Sequence, residues 1–395
     1  MKRFRRILII LCVTLLAIEL LSAVSYTIQL KQWQTAPSVV RNKLGKVWNN
    51  PGVRQCPDEE IWAPLPYLGF GRSWDLIEKC GQQKSLVNNR GMVGPDYPES
   101  RDENVFTILL TGGSGAERLG LQRQGEDDYL AWLFNQRFHP PRGKSFKILI
   151  AANGGYRQPQ NLISLMLYHD LIDAVIDLSG YNEAMNMTGR MRTEKVSSLY
   201  WDLLQSGQLG VIKSRVRRLA INLEQSICRF SFACVGWSEF QVQKMLKEFV
   251  EIRTYHSQRN FERFPETVSV AEASKLRKRK LKGYYRMMKA ICQDQELQCS
   301  FFIQPIVLRR KKAYPEEKVM IMPDSDEFRR RYLELEAELV DHHSLVKIFD
   351  QVPGPVFMDA VHLIGTETGT VSAAYQIEAR AIVDQVGKDW KLRAR

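Results

Sequence analysis

The sequence predicts an α/β fold: a mostly parallel sheet with helices packed on both faces. Three observations carry this. Apolar runs of strand length recur along the chain, most of them stopping at glycine, asparagine or proline. Stretches of helical length lie between them, as βαβ crossovers require. The chain has 395 residues, 44% hydrophobic and 25% charged, which suffices for one large core or two ordinary ones. Global disorder is excluded by that composition, and collagen-like or solenoid architectures by 16 prolines and 25 glycines without period or repeat.

The elements follow in chain order. Lys2, Arg3, Arg5 and Arg6 precede an apolar run from Ile7 to Val24 whose only charge is Glu19. At about 1.5 Å per residue this run nearly crosses a hydrocarbon core of about 30 Å, with Tyr26 and Trp33 placed to anchor the far interface. Residues 1–30 are therefore expected to be a transmembrane signal anchor with the basic flank in the cytoplasm and the remainder exported. A cleaved signal peptide is the competing reading, because Ser22 to Ser25 offer small residues, but the run is long for one. Residues 31–100 read as a linker and an irregular segment. The main domain is expected over 101–390.

Its first strand is Val105 to Thr111, a continuous apolar run that enters a glycine pair. Phe146 to Ala152 repeats the pattern and ends at Asn153, Gly154 and Gly155. Asp173 to Ser179 repeats it again and ends at Gly180, Tyr181, Asn182 and Glu183. A fourth run, Ser300 to Gln304, stops at Pro305, and Leu345 to Phe349 is expected as a fifth strand. Helices are expected at about 117–137, 158–171, 276–297, 325–342 and 366–387. Residues 184–290 exceed what one crossover needs and read as a helical insertion or lid. Trp201 and Trp237 within it are expected as core anchors.

Cysteine usage fits export. Outside the anchor, Cys56 and Cys80, Cys228 and Cys234, and Cys292 and Cys299 are separated by distances that suit disulfides, although six cysteines allow fifteen pairings. None has the CxxC spacing of a zinc ligand set, so neither a metal nor any other cofactor is expected. The net charge of +12 concentrates in Lys275 to Lys282 and Arg309 to Lys312. Export makes nucleic acid a poor partner for these runs. A solvated helix face with a surface loop is the plainest reading, and anionic lipid or an acidic glycan the functional one.

Three places can carry chemistry. Thr111 to Ala116 reads TGGSGA, and a serine on a strand-to-helix turn stands above the sheet where a histidine can activate it. The same segment alone is also an ordinary turn or a phosphate cradle, but it lacks the Gly-Lys-Ser/Thr of a P-loop and the GxGxxG spacing. Asp359 and His362 stand three apart, on a turn or a first helical coil, so the carboxylate can fix the imidazole's tautomer; a capping aspartate beside an incidental histidine is the plainer alternative. Asn182 and Gly155, each after a strand, can converge on an oxyanion near Ser114, or can merely turn the chain.

Taken in order, Ser114, Gly155, Asn182 and the Asp359/His362 pair resemble the block residues of the SGNH (GDSL-like) hydrolase superfamily. Asn89 to Gly94, reading NRGMVG, is similar to the lead-in of its membrane-anchored members. The resemblance spans about residues 89–387 with an unmatched middle. Two departures stand out: the usual Gly-Asp-Ser is Gly112-Gly113-Ser114, and the usual acid after the asparagine is Glu183. The resemblance implies a three-layer α/β/α flavodoxin-like domain. It also implies a triad of Ser114, His362 and Asp359, and an oxyanion hole from Ser114, Gly155 and Asn182. The activity implied is hydrolysis or transfer of an acyl ester on a small molecule, lipid or glycan, with acetyl groups on an exported glycan one candidate. The alternative from another class is a membrane-tethered binding or scaffold protein on the same fold without turnover.

Overall fold

The computed structural model describes residues 13–14, 17–24, 62–63, 65–72, 87–125, 127–143, 145–185, 187, 189–190, 192, 263–314, 317, 325–365 and 371–395. The chain divides into two units. One comprises Met1–Trp62, Asp75–Gln82 and Ser198–Gln258 and lies almost wholly outside the described residues; the other comprises Ala63–Trp74, Gln83–Ser197 and Arg259–Arg395. Everything below concerns the second unit, except that residues 13–14 and 17–24 of the expected anchor are helical. Among the described residues no helix is long and apolar enough to cross a membrane. The rest of the anchor, Trp201, Trp237, Cys56, Cys80, Cys228 and Cys234 lie outside the described residues, as does most of the expected insertion.

Five strands form the sheet: β1 (Val105–Gly112), β2 (Ser145–Ala152), β3 (Ala174–Ser179), β4 (Gln298–Ile303) and β5 (His343–Ser344). Their spatial order is β2-β1-β3-β4-β5 and every neighbouring pair is parallel. The direction of crossover reverses between β1 and β3, where such sheets open a crevice at their carboxyl ends. Register aligns those ends: Gly112 pairs with Ala152 on one side and Leu178 on the other.

The sheet carries helices on both faces because its side chains alternate. Ile108 and Leu110 of β1 face the first layer, built from α1 (Ser114–Gly120), α2 (Tyr129–Arg137) and α7 (Ala373–Asp389). Leu109 between them faces the second layer, built from α3 (Gln160–Tyr168), α4 (Tyr181–Met185), α5 (Val270–Asp294) and α6 (Ser325–Glu338). Each such fully buried Leu or Ile contributes about 1.5–3 kcal/mol. Together these features make an α/β fold with a mostly parallel central sheet.

Helix α5 shows how the sequence sets its own boundaries. Ser269 caps it, accepting from the Glu272 N–H at 3.2 Å, and Ala273, Arg277, Leu281, Tyr285, Met288 and Cys292 form its buried stripe. A disulfide between Cys292 and Cys299 ties its end to β4. Residues 65–72 and 87–100 also belong to this unit: Leu68, Phe70, Met92 and Val93 are buried, and Gln160 Nε2 donates to the Leu68 carbonyl at 2.6 Å.

Several expectations need correction. The helix expected over 117–137 is two helices, separated by a tight antiparallel pair at Arg123–Gln124 and Asp127–Asp128 that turns through Gly125 at φ +64°. The fifth strand is His343–Ser344, one step before the apolar run. Leu345 still donates to the Ile303 carbonyl, but Ile348 then donates back to Leu345, so Leu345, Val346 and Phe349 are buried from a turn rather than a strand. The basic runs are not simply solvated. Arg277 lies on the buried stripe of α5, Lys278 and Lys282 pair with Glu338 of α6, and Arg310 is buried.

Candidate active site

The carboxyl ends of the strands bring the sequence-picked residues together. Ser114 opens α1 directly after β1. The turn needs glycine at 112, where φ is +144° and a Cβ would lie 2.2 Å from the Leu178 carbonyl oxygen. Glu117 on α1 is buried and ion-paired with Arg72, which fixes the helix to the segment beside it.

His362 arrives on a short loop between β5 and α7. Phe357 and Leu363 bridge its base, and the Met358 N–H donates to the His362 carbonyl at 2.8 Å. The His362 Nε2 atom is 2.6 Å from Ser114 Oγ, and its Nδ1 atom is 2.5 Å from Asp359 Oδ2. The other Asp359 oxygen accepts from the Val361 and His362 N–H groups at 2.9 and 2.8 Å. Asp359 thus both holds the turn and meets the ring, so the capping role and the orienting role coexist. Burial pushes its carboxyl up, but the hydrogen bond and charge of His362 and the two amides outweigh this and hold it below the usual range.

Asn182 lies in the first turn of α4, after β3. Its Nδ2 donates to the Tyr156 carbonyl at 2.8 Å, which joins the loop after β3 to the loop after β2. The same nitrogen stands so close to the Gly113 backbone that a Cβ there would meet it at 2.3 Å. With Asn182 so placed, no side chain fits at 113. Gly155 sits in the loop after β2 at φ +85°. Ser114 and Asn182, in first helical turns, and Gly155, in a loop, thus follow the carboxyl ends of β1, β3 and β2, and the loop of Asp359 and His362 reaches Ser114 there.

Three supports are not among the residues picked from the sequence. Buried Glu183 accepts from the Gly180 N–H at 2.8 Å and the Gln158 N–H at 3.1 Å, so the residue after Asn182 staples the loops after β2 and β3 together. Burial raises its carboxyl, opposed by those amides and by Arg157. Buried Arg310 and Glu317 form a pair under the histidine loop. Arg310 Nη1 donates to both Glu317 oxygens at 2.7 and 2.8 Å, and Glu317 accepts from the Val356 and Phe357 N–H groups at 2.8 and 3.1 Å. Gln304, at the end of β4, packs its amide against Gly115. The signal for Gln304 was present, since it is a polar residue ending an apolar strand before a proline. Glu317, distant in sequence from the loop it holds, gave none.

Among the described residues no three His, Cys, Asp or Glu side chains converge as metal ligands. The arrangement supplies a hydroxyl, a base with an oriented tautomer, and amide donors at a strand crevice, which is the equipment for acyl transfer.

No known family profile matches the chain, and no curated protein does either. Among solved structures, the crystal structure of an acetyl xylan esterase aligns over 72% of this chain and 98% of that one, at 10% identity and a TM-score of 0.28. A TM-score that low carries no argument about fold or chemistry.

Proposed function

We propose that this chain is a serine esterase of SGNH type that hydrolyses or transfers an acyl ester through Ser114, His362 and Asp359. The observation that carries the reading is the unbroken contact from Ser114 Oγ to His362 Nε2 at 2.6 Å and from His362 Nδ1 to Asp359 Oδ2 at 2.5 Å. With Asp359 accepting from Nδ1–H, the Nε2 lone pair is left to take the serine proton. Ser114 Oγ then attacks the ester carbonyl, and His362 returns the proton to the departing alkoxide. Water, or an acceptor hydroxyl, clears the acyl-enzyme by the same route. The developing oxyanion is bound by the N–H groups of Ser114 and Gly155 and by the Asn182 amide, and Glu183 holds the loops that carry the last two.

The strand order β2-β1-β3-β4-β5 supports a flavodoxin-like assignment for the domain. We read residues 1–30 as an uncleaved membrane anchor and the domain as exported. The basic flank followed by Ile7 to Val24 supports this, as does the Cys292–Cys299 disulfide, which suits an oxidising compartment. Acetyl esters on an exported glycan are the proposed substrate class.

The test is p-nitrophenyl acetate turnover by the purified full-length protein in detergent, beside Ser114→Ala, His362→Ala and Asp359→Ala. The serine and histidine variants should lose on the order of 10⁴–10⁶ in kcat, and the aspartate variant on the order of 10⁴. Turnover equal in all four proteins sinks the triad. A folded but inert wild type favours the tethered binding protein.

A further inference from the structure

Gln304 is held as a site residue is held, yet its side chain serves no other residue. Its N–H donates to the Ser179 carbonyl at 2.9 Å, and its own carbonyl accepts from Tyr332 Oη at 2.6 Å, so the backbone is fixed from two sides. The residue is only 4% exposed. Its side-chain amide nevertheless makes no hydrogen bond to any described residue. That amide lies against Gly115, where a Cβ would meet Oε1 at 3.3 Å and Nε2 at 3.5 Å. Its amide atoms are not among the side-chain polar atoms sealed from solvent, so they are open to a molecule that enters beside Gly115.

Resting on the esterase reading above, we infer that Gln304 is a substrate-binding residue, hydrogen-bonding the alcohol portion of the ester and making the site selective for polyhydroxylated alcohols. The placement decides which portion. Asn182 lies against Gly113 and Gln304 against Gly115, so the two amides flank Ser114 on opposite sides along the chain. The Asn182 side belongs to the oxyanion. The segment after Gln304 is bonded to the histidine loop, through the Val307 N–H to the Ala360 carbonyl at 3.1 Å. His362 is the group that protonates the leaving oxygen, so the alcohol departs on this side. A primary amide offers one donor face and one acceptor face, and a sugar hydroxyl beside the ester offers the complement of both. An alkyl or aryl alcohol offers neither, and would forgo both bonds.

The experiment compares wild type, Gln304→Ala and Gln304→Glu on two esters: p-nitrophenyl acetate and a mono-O-acetylated methyl glucoside. Melting temperatures are recorded for all three proteins. Gln304→Ala should lower kcat/KM for the sugar ester at least about 10-fold more than for the aryl ester, chiefly through KM. Gln304→Glu, which keeps the acceptor and loses the donor, should fall between the two. Equal losses on both esters, or no loss on either, would overturn the inference while leaving the esterase reading intact. An active wild type that ignores the sugar ester also overturns it. A wild type inert towards p-nitrophenyl acetate removes the esterase reading and this inference with it.

Discussion

Replacing Gly113 with alanine adds one methyl group and tests the oxyanion geometry without touching the triad. The backbone there has φ −87° and ψ −156°, which alanine adopts freely, so any effect is steric. The new Cβ would lie 2.3 Å from Asn182 Nδ2 and 3.1 Å from the Tyr156 carbonyl oxygen. Restoring even a 3.0 Å contact requires the amide to retreat by about 0.7 Å, breaking its 2.8 Å bond to Tyr156 and withdrawing it from the serine turn. Loss of one oxyanion donor costs about 10²–10³ in kcat, or about 2.7–4 kcal/mol. The assay is kcat on p-nitrophenyl acetate for Gly113→Ala, Asn182→Ala and the double variant, with circular dichroism melting as the folding control. Because both substitutions remove the same donor, the double variant should be hardly worse than either single one. Full kcat in Gly113→Ala, or losses that multiply in the double variant, would falsify the role given to Asn182.

Two other perturbations read the supports. Glu317→Ala leaves Arg310 as an uncompensated buried charge and strips the acceptor from the Tyr314, Val356 and Phe357 N–H groups, so denaturant unfolding should show a loss of about 3–5 kcal/mol; a loss under about 1 kcal/mol contradicts the burial argument. Burial pushes the Glu378 carboxyl up to about 8, and it pushes Asp177 up to about 7 against the hydrogen bonds of Ser179, Thr111 and Asn161. Unfolded carboxyls lose their protons near pH 4, so between about pH 4 and 8 for Glu378, and about pH 4 and 7 for Asp177, the folded state holds protons the unfolded state has released, and stability falls as pH rises, by at most about 1.4 kcal/mol per unit for each group. Glu378→Gln should therefore stabilise the protein more at pH 8 than at pH 5, read as a melting-temperature difference; a pH-independent difference refutes the assignment.

The strands were legible because a parallel strand buried on both faces is a continuous apolar run, and β1, β2 and β3 begin and end within a residue or so of where the runs do. The candidate site residues can be picked from the sequence for a related reason: each sits within a few positions of a strand end or in one short turn, so chain-local spacing carries them. What failed was apolar periodicity read without tertiary context. Leu345, Val346 and Phe349 look like a strand, but their burial is achieved from a turn, and only the ladder from β4 decides where β5 stops. Charge patterning failed likewise at Arg277 and Arg310. Nothing in a run of Lys and Arg distinguishes a solvated member from one whose partner, such as Glu317, is supplied by a neighbouring loop.

The supports under the site share one physical device. Loops at the end of a parallel sheet have N–H groups that no strand can accept, and burial denies them water. Glu183 and Glu317 turn both carboxylate oxygens on such groups, Glu183 on Gly180 and Gln158, and Glu317 on Tyr314, Val356 and Phe357 beside the Arg310 guanidinium; Asp359 turns one oxygen on the Val361 and His362 N–H groups and the other on the His362 ring. A carboxylate suits the task better than an amide side chain, because both its oxygens accept and neither must find an acceptor of its own. This also gives the glutamate at 183 a reason. The acid after Asn182 spans from its own turn to the loop after β2, and glutamate has one methylene more of reach than aspartate. Shortening it to aspartate should cost one of the two bonds, Gln158 being the farther at 3.1 Å against 2.8 Å for Gly180, and should loosen the loop that carries Gly155 while leaving Asn182 in place.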